Sequence, residues 1–320
     1  MTETKILEAF AAGDAVGMAT EFMTQSEIRE ILGEKGVTGL IPAEKSFHHS
    51  NLPAGSVTDD TEQVLYLLHA YRADGCASVE NTVDALEAWI TETGAAEKQY
   101  IGPSSLRALS RIRAGEDPRT AGQGGTTCGG IMRVPAAVLW DPDASEASLI
   151  ESIHNSLMPT HNTSEALEAA GAYGFALRCA LRGGSFEEIF LEAERGGKLM
   201  MSRAEWIACA PSSVARLRAA KELPHDRQTL LRTLFELWGT GLPSADVCGA
   251  AFAVFAYAKK DVWEAIRISA ELGGDTDTIG ALAAALCAAY ASGHNIPDDV
   301  IRTIRRQNAE LFKSKLGETF

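Results

Sequence analysis

Apolar residues recur at intervals of three and four along most of the chain, the spacing that gathers them on one side of an α-helix. In "EQVLYLLHAYR", Val64, Leu65, Leu67, Leu68 and Tyr71 make one apolar face. The segments "SVENTVDALEAWI", "SEALEAAGAYGFALRCAL", "CGAAFAVFAYA" and "VWEAIRISAELG" repeat the pattern. Strict alternation, the mark of a half-buried strand, is nearly absent, so the pattern predicts an all-α fold. Turn-forming residues gather at 33–56, 113–130 and 141–145, and no low-complexity linker or fixed-period repeat divides the chain. The expected organisation is one helical domain over residues 1–320, with long loops that carry binding residues.

Composition narrows the class. The 320 residues are 46% hydrophobic, enough for a large core without disulfides or a structural metal. Net charge is −14, from 43 acidic and 29 basic residues, and no lysine or arginine run is long enough to follow a phosphate backbone, which argues against a nucleic-acid partner. The six cysteines, at 76, 128, 179, 209, 248 and 287, lack the close pairs of a zinc site or a disulfide-stapled secreted domain. The N-terminal "MTETKILEAFAAGDAVG" has no basic region ahead of an apolar one, so it does not read as a secretion signal. The longest apolar stretch, Ile279 to Ala291, is too short to span a bilayer. A soluble cytoplasmic protein with no membrane partner is expected.

Two acidic clusters carry the chemistry. "SVTDDTEQ" places Thr58, Asp59 and Asp60 before a helix expected to start near Thr61, and "GGDTDTIGALAAAL" places Asp275, Asp277 and Thr278 at another helix start. Each has a plain reading as a helix cap, because one such side chain satisfies orphan backbone N–H groups and suits the helix dipole. Capping needs only one side chain per helix, and here four carboxylates and two hydroxyls are on offer. If the two starts face each other, their repulsion raises carboxyl pKa values unless a cation lies between them. Oxygen ligands of this kind suit Mg²⁺, Mn²⁺ or Ca²⁺ better than zinc. Gly280, Ala281, Ala283, Ala284 and Ala285 let the second helix sit deep among its neighbours. The alternative of a haloacid-dehalogenase-like phosphatase, from "DTDTI", needs a hydrophobic strand before it, whereas "ISAELGG" is helical and glycine-capped.

Four stretches in order, "GDAVGMATEF", "TDDTEQ", "GGIMRVPA" with "HNTSEA", and "GGDTDTIGALAAAL", make the sequence resemble the ADP-ribosylglycohydrolase family over most of its length. The resemblance implies a compact, orthogonal all-α bundle with two divalent cations, Mg²⁺ or Mn²⁺, at the base of a cleft. By position it implies Thr58, Asp59, Asp60, Asp275, Asp277 and Thr278 as metal ligands. It places Glu21 beside the metals and the scissile bond; the expected proton acceptor is Glu21 or a metal-bound aspartate, Asp60 or Asp277, with the choice open. The implied activity is hydrolysis of the bond between a ribose anomeric carbon and its substituent, on an ADP-ribosylated protein or a small ribosyl substrate.

The same resemblance assigns "GQGGTTCGGIMR", with Gly125, Thr126, Thr127, Cys128 and Gly129, to the phosphates of ADP-ribose, and His161 to the substrate. Read alone, that glycine run is a flexible turn, and it lacks the Gly-Lys-Ser/Thr ending of a nucleoside-triphosphate loop. Cys128 stands where many members have asparagine, and Thr126 and Thr127 also depart from the family pattern, which leaves room for a nucleoside or nucleotide substrate. Cys128 is expected to shape the pocket rather than act as a nucleophile. His48 and His49 read as exposed loop residues. A catalytically silent ADP-ribose-binding protein and a two-metal phosphatase are the remaining alternatives.

Overall fold

The helical periodicity becomes seventeen α-helices in the computed structural model, which describes residues 2–46, 49–98, 100–223 and 226–317. In order they are α1 (Thr2–Gly17), α2 (Gln25–Leu32), α3 (Asp59–Asp74), α4 (Val79–Thr93), α5 (Pro103–Arg113) and α6 (Pro118–Ala121). Next come α7 (Val134–Leu139), α8 (Glu146–His161), α9 (Ser164–Leu181), α10 (Phe186–Met201), α11 (Ser213–Ala220) and α12 (Arg227–Thr233). The chain ends with α13 (Ser244–Ala258), α14 (Val262–Leu272), α15 (Thr276–Ala291), α16 (Asp298–Gln307) and α17 (Ala309–Leu316). The fold is all-α, as the sequence pattern predicts. Among the described residues, β-type pairing is confined to two isolated bridges, Thr127 with Pro243 and Thr163 with Trp206. α9 has the bounds its apolar spacing predicts, while α3 starts at Asp59, two positions ahead of expectation.

α15 lies in the middle of the core. Every residue from Thr276 to Ala289 is buried, against α1, α9, α13 and α14. Its small side chains let α1 approach to backbone contact: a Cβ on Gly13 would overlap the Gly280 carbonyl, and one on Gly17 would lie 2.6 Å from Asp277 Cα. No larger residue fits at either place. This approach sets the end of α1, and the turn after it that carries Glu21, against the first turn of α15. Deeper in, Phe175, Phe252 and Phe255 are fully buried, and the buried Tyr173 hydroxyl donates to the Leu282 carbonyl at 2.9 Å. Burying each such aromatic contributes roughly 1.5–3 kcal/mol. Among the described residues no helix is long and apolar enough to cross a membrane.

Candidate functional site

The start of α3 is capped from another helix. Asp14, on α1 and fully buried, accepts from the backbone N–H groups of Thr58 and Thr61, at 3.1 Å each, and from both threonine hydroxyls. Thr58 is the residue before the first turn, yet its side chain makes no capping bond. Its hydroxyl proton goes to Asp14 Oδ1 at 2.7 Å, so its oxygen keeps lone pairs for another partner. With Asp14 filling the capping role, Asp59 and Asp60 are left over. The capping explanation therefore fails for them.

The start of α15 is similar. Asp275 precedes the first turn without a side-chain capping bond, and its N–H donates to the Thr240 carbonyl at 2.7 Å. Asp277 Oδ1 accepts from the adjacent Thr278 N–H at 2.9 Å, a local bond within the first turn. The Thr278 hydroxyl donates to Asp60 Oδ2 at 3.2 Å, which brings the two acidic turns together. Glu21 arrives on the turn after α1, which is pinned to α15's leading loop by the Phe22 N–H donating to the Gly274 carbonyl at 2.7 Å. Phe22 takes a left-handed φ of 58°, a strained value for an aromatic residue that this pinning sustains.

The electrostatics follow from that convergence. Burial first, and then the charge of neighbouring acids, holds the carboxyls of Glu21, Asp59, Asp60 and Asp277 well above the ordinary range. Asp275 is raised by burial, against bonds with Asp277, Cys128 and Thr278 that pull it down. Asp60 Oδ1 and Asp275 Oδ2 are buried with no hydrogen-bond partner among the described residues. A buried carboxylate oxygen without a donor is costly, and a cation is the partner that both the orphaned oxygens and the repulsion call for. The donor set of carboxylates and hydroxyls fits a hard divalent ion. Ligand atoms of Glu21, His49 and Asp277 also lie within 4.8 Å of one another, a second grouping able to hold a metal.

His49 corrects the sequence expectation. It is buried, and its Nε2 lies 2.6 Å from Glu21 Oε2, with its ring edge-on to Tyr100 at 5.3 Å. A position that reads as exposed thus faces inward onto the acidic cluster; His48 lies outside the described residues. Glu21, His49, Asp59, Asp60, Asp275, Asp277 and Thr278 line one cleft together with Thr127, Cys128 and Gly129. Tyr100, Ile101, Pro103, Met132 and Leu242 give that cleft an apolar side. Thr58 sits behind it, bonded to Asp14.

The glycine-rich stretch is only partly at the cleft. Gly125 and Thr126 do not line it: a Cβ on Gly122 or Gly125 would overlap the backbone of 158–161, so these glycines let α8 approach. The N–H of Gly125 donates to the Gly122 carbonyl at 3.1 Å and that of Cys128 to the Leu242 carbonyl at 2.8 Å, so neither is free to cradle a phosphate. His161 is fully buried one layer behind the wall, with Nε2 3.0 Å from Thr127 Oγ1. The Cys128 thiol is pushed well up by burial and then by the Asp275 charge, which leaves it a protonated pocket residue. Asp14, His49 and Tyr100 are the participants that sequence reasoning misses. Asp14 falls in "GDAVGMATEF" and His49 in the turn-rich stretch 33–56, neither with a sign of its role, and Tyr100 falls in no stretch singled out there.

The chain as a whole is similar to known proteins. The solved structure of an ADP-ribosylglycohydrolase-related protein complex superposes with a TM-score of 0.71 at 27% identity, covering 99% of this chain and 96% of that one. An uncharacterized protein of Archaeoglobus fulgidus is 31% identical over 310 residues, 96% of this chain and 93% of its own. The ADP-ribosylarginine hydrolase Tri1 of Pseudomonas putida is 25% identical over 311 residues, 93% of this chain and 72% of its own. The family model for ADP-ribosylglycohydrolase matches residues 5–319, and with that match across nearly its whole length the chain belongs to the ADP-ribosylglycohydrolase family.

Proposed function

We propose that this protein is a metal-dependent hydrolase that cleaves the bond between the anomeric carbon of an ADP-ribosyl ribose and a protein side chain or small acceptor. The observation that carries the reading is the pair of helix starts whose acids are not used as caps, with Asp60 Oδ1 and Asp275 Oδ2 left without donors among the described residues. Thr58, Asp59, Asp60, Asp275, Asp277 and Thr278 would hold two divalent cations, Mg²⁺ or Mn²⁺. Bound there, the cations supply Lewis-acid chemistry to the ribose hydroxyls and the attacking water.

The chain's own residues do the rest. Glu21, buried and hydrogen-bonded to His49, accepts the proton of the attacking water, and His49 fixes which way its carboxylate points. The remaining carboxylates favour the positive charge that develops on the ribose as the bond breaks. Tyr100, Ile101 and Leu242 exclude bulk water from the other side of the cleft.

A smaller ribosyl compound, a nucleoside or nucleotide, is the second reading. It is favoured by the cleft lining, which has no lysine or arginine among the described residues to meet a diphosphate, and by the engaged N–H groups of Gly125 and Cys128. The test is mass spectrometry of products from ADP-ribosyl arginine, ADP-ribosyl serine, O-acetyl-ADP-ribose and nucleosides, with Mg²⁺ or Mn²⁺ and with chelator. Metal-dependent release of a ribosyl product from any of them supports hydrolysis, and the substrate identifies which reading holds. Tight ADP-ribose binding without turnover would instead mark a silent binding protein.

A further inference from the structure

Behind the cleft wall lies a buried polar chain that the carboxylate cluster does not explain. Arg133 closes the 3₁₀ turn Ile131–Arg133 and is fully buried. Its Nη2 donates to the Thr160 hydroxyl and faces His161 Nδ1 at 3.1 Å, while its Nε and Nη1 have no hydrogen-bond partner among the described residues. Burying a guanidinium so sparsely bonded costs several kcal/mol. Burial pulls its pKa down to about 10, which leaves it cationic at neutral pH.

A guanidinium has donors and no acceptor, so His161 Nδ1 must be the accepting nitrogen. The Thr160 hydroxyl, 2.8 Å from the same nitrogen, takes the Arg133 bond and donates its own proton to Nδ1, which agrees in direction. Burial, then the Arg133 charge, keeps the ring neutral by lowering its pKa. Its single proton therefore sits on Nε2, 3.0 Å from Thr127 Oγ1, and Thr127 is the acceptor of that bond. With its oxygen so engaged, the Thr127 hydroxyl proton is turned away from His161, and Thr127 lines the cleft.

We infer that Arg133 and His161 are positioning residues of fixed polarity that make the Thr127 hydroxyl a hydrogen-bond donor into the cleft, where it recognises an acceptor oxygen of the ribosyl substrate. This rests on the ribosyl reading proposed above. The oxygen belongs either to the adenosine part or to the diphosphate and distal ribose, and the two are separable by probe.

The experiment is calorimetric binding of ADP-ribose and of adenosine to the metal-loaded protein, with Thr127→Val, which removes the hydroxyl, and Thr127→Ser, which keeps it. Loss of one such bond is expected to weaken binding roughly tenfold in the valine variant, with recovery in the serine variant. Weakening for both probes places the oxygen in the adenosine part; weakening for ADP-ribose alone places it on the diphosphate or the distal ribose. Nitrogen NMR of the imidazole, free of any ligand, should show His161 protonated at Nε2, and Arg133→Met should disturb that signature. His161→Gln, whose amide N–H falls near the Nε2 position, should retain more affinity than His161→Ala. Unchanged affinity of Thr127→Val for both probes, or a proton on Nδ1, overturns the relay and leaves the hydrolase reading intact. A wild-type protein that binds neither probe while showing the Nε2 proton overturns the ribosyl reading, and the recognition role of Thr127 with it.

Discussion

The Thr278 hydroxyl donates to Asp60 Oδ2 at 3.2 Å, tying the first turn of α15 to the first turn of α3 across 218 positions of sequence. That contact gives the acids of both turns one shared volume. A cap places its carboxylate on backbone N–H groups, as Asp14 does for α3. Asp60 and Asp275 instead keep one oxygen each without a donor among the described residues, and their repulsion awaits a counter-charge.

Asp60→Ala and Asp277→Ala should therefore have opposite effects with and without metal. In chelator, each relieves repulsion and raises the melting temperature above wild type. With Mg²⁺ at a hundredfold excess over its dissociation constant, wild type should gain about 2.7 kcal/mol while the variants gain little. Activity should be lost in both. Melts recorded in the two conditions check this directly; variants that melt below wild type in chelator would show that these acids stabilise the fold unaided.

Asp14→Ala should behave in the reverse sense. It leaves the N–H groups of Thr58 and Thr61 and two hydroxyls without their buried acceptor. The expected loss is about 3 kcal/mol or more, with or without metal, read from denaturant midpoints. A cost below about 1 kcal/mol would mean that water replaces Asp14 easily.

Glu62 predicts a pH dependence. Burial lifts its carboxyl from 4.5 to about 7, against the bond at 2.7 Å from Trp89 Nε1 that favours the charged form. Because the folded pKa is the higher one, the folded state binds more protons, and stability falls as pH rises from about 4.5 to about 7. The size is on the order of 3 kcal/mol. Glu62→Gln keeps an acceptor for Trp89 and should flatten this part of the curve. Denaturant midpoints of the two proteins at about pH 5 and about pH 8, both in chelator, measure the difference.

Gly17→Ala should damage the site through the backbone. The added Cβ would press on Thr276 and Asp277 at the start of α15, so α1 and α15 must separate. A cost of roughly 1–3 kcal/mol is expected, together with weaker Mn²⁺ binding by calorimetry. Normal metal affinity in a destabilised variant would show that the site tolerates that movement.

The helices are legible in the sequence because apolar spacing is a local property, and α9 takes the bounds its pattern predicts. The acidic turns are legible as a surplus over what capping requires. Asp14 is not, because its role depends on Thr58, 44 positions away, and nothing in "GDAVG" announces a cap for a distant helix. His49 is hidden for the same reason: its partner Glu21 is 28 positions off, and a loop histidine has no periodicity to place it. The glycine-rich stretch misleads because glycine admits a phosphate and a neighbouring helix equally well, and at Gly122 and Gly125 the neighbour is the backbone of 158–161.

The most direct test of the account is anomalous diffraction from crystals of the protein grown with Mn²⁺. Two peaks are predicted between the first turns of α3 and α15, each within about 2–2.5 Å of oxygens from both acidic clusters. An empty site at saturating Mn²⁺, or ions bound only to acids on the outer surface, would contradict it.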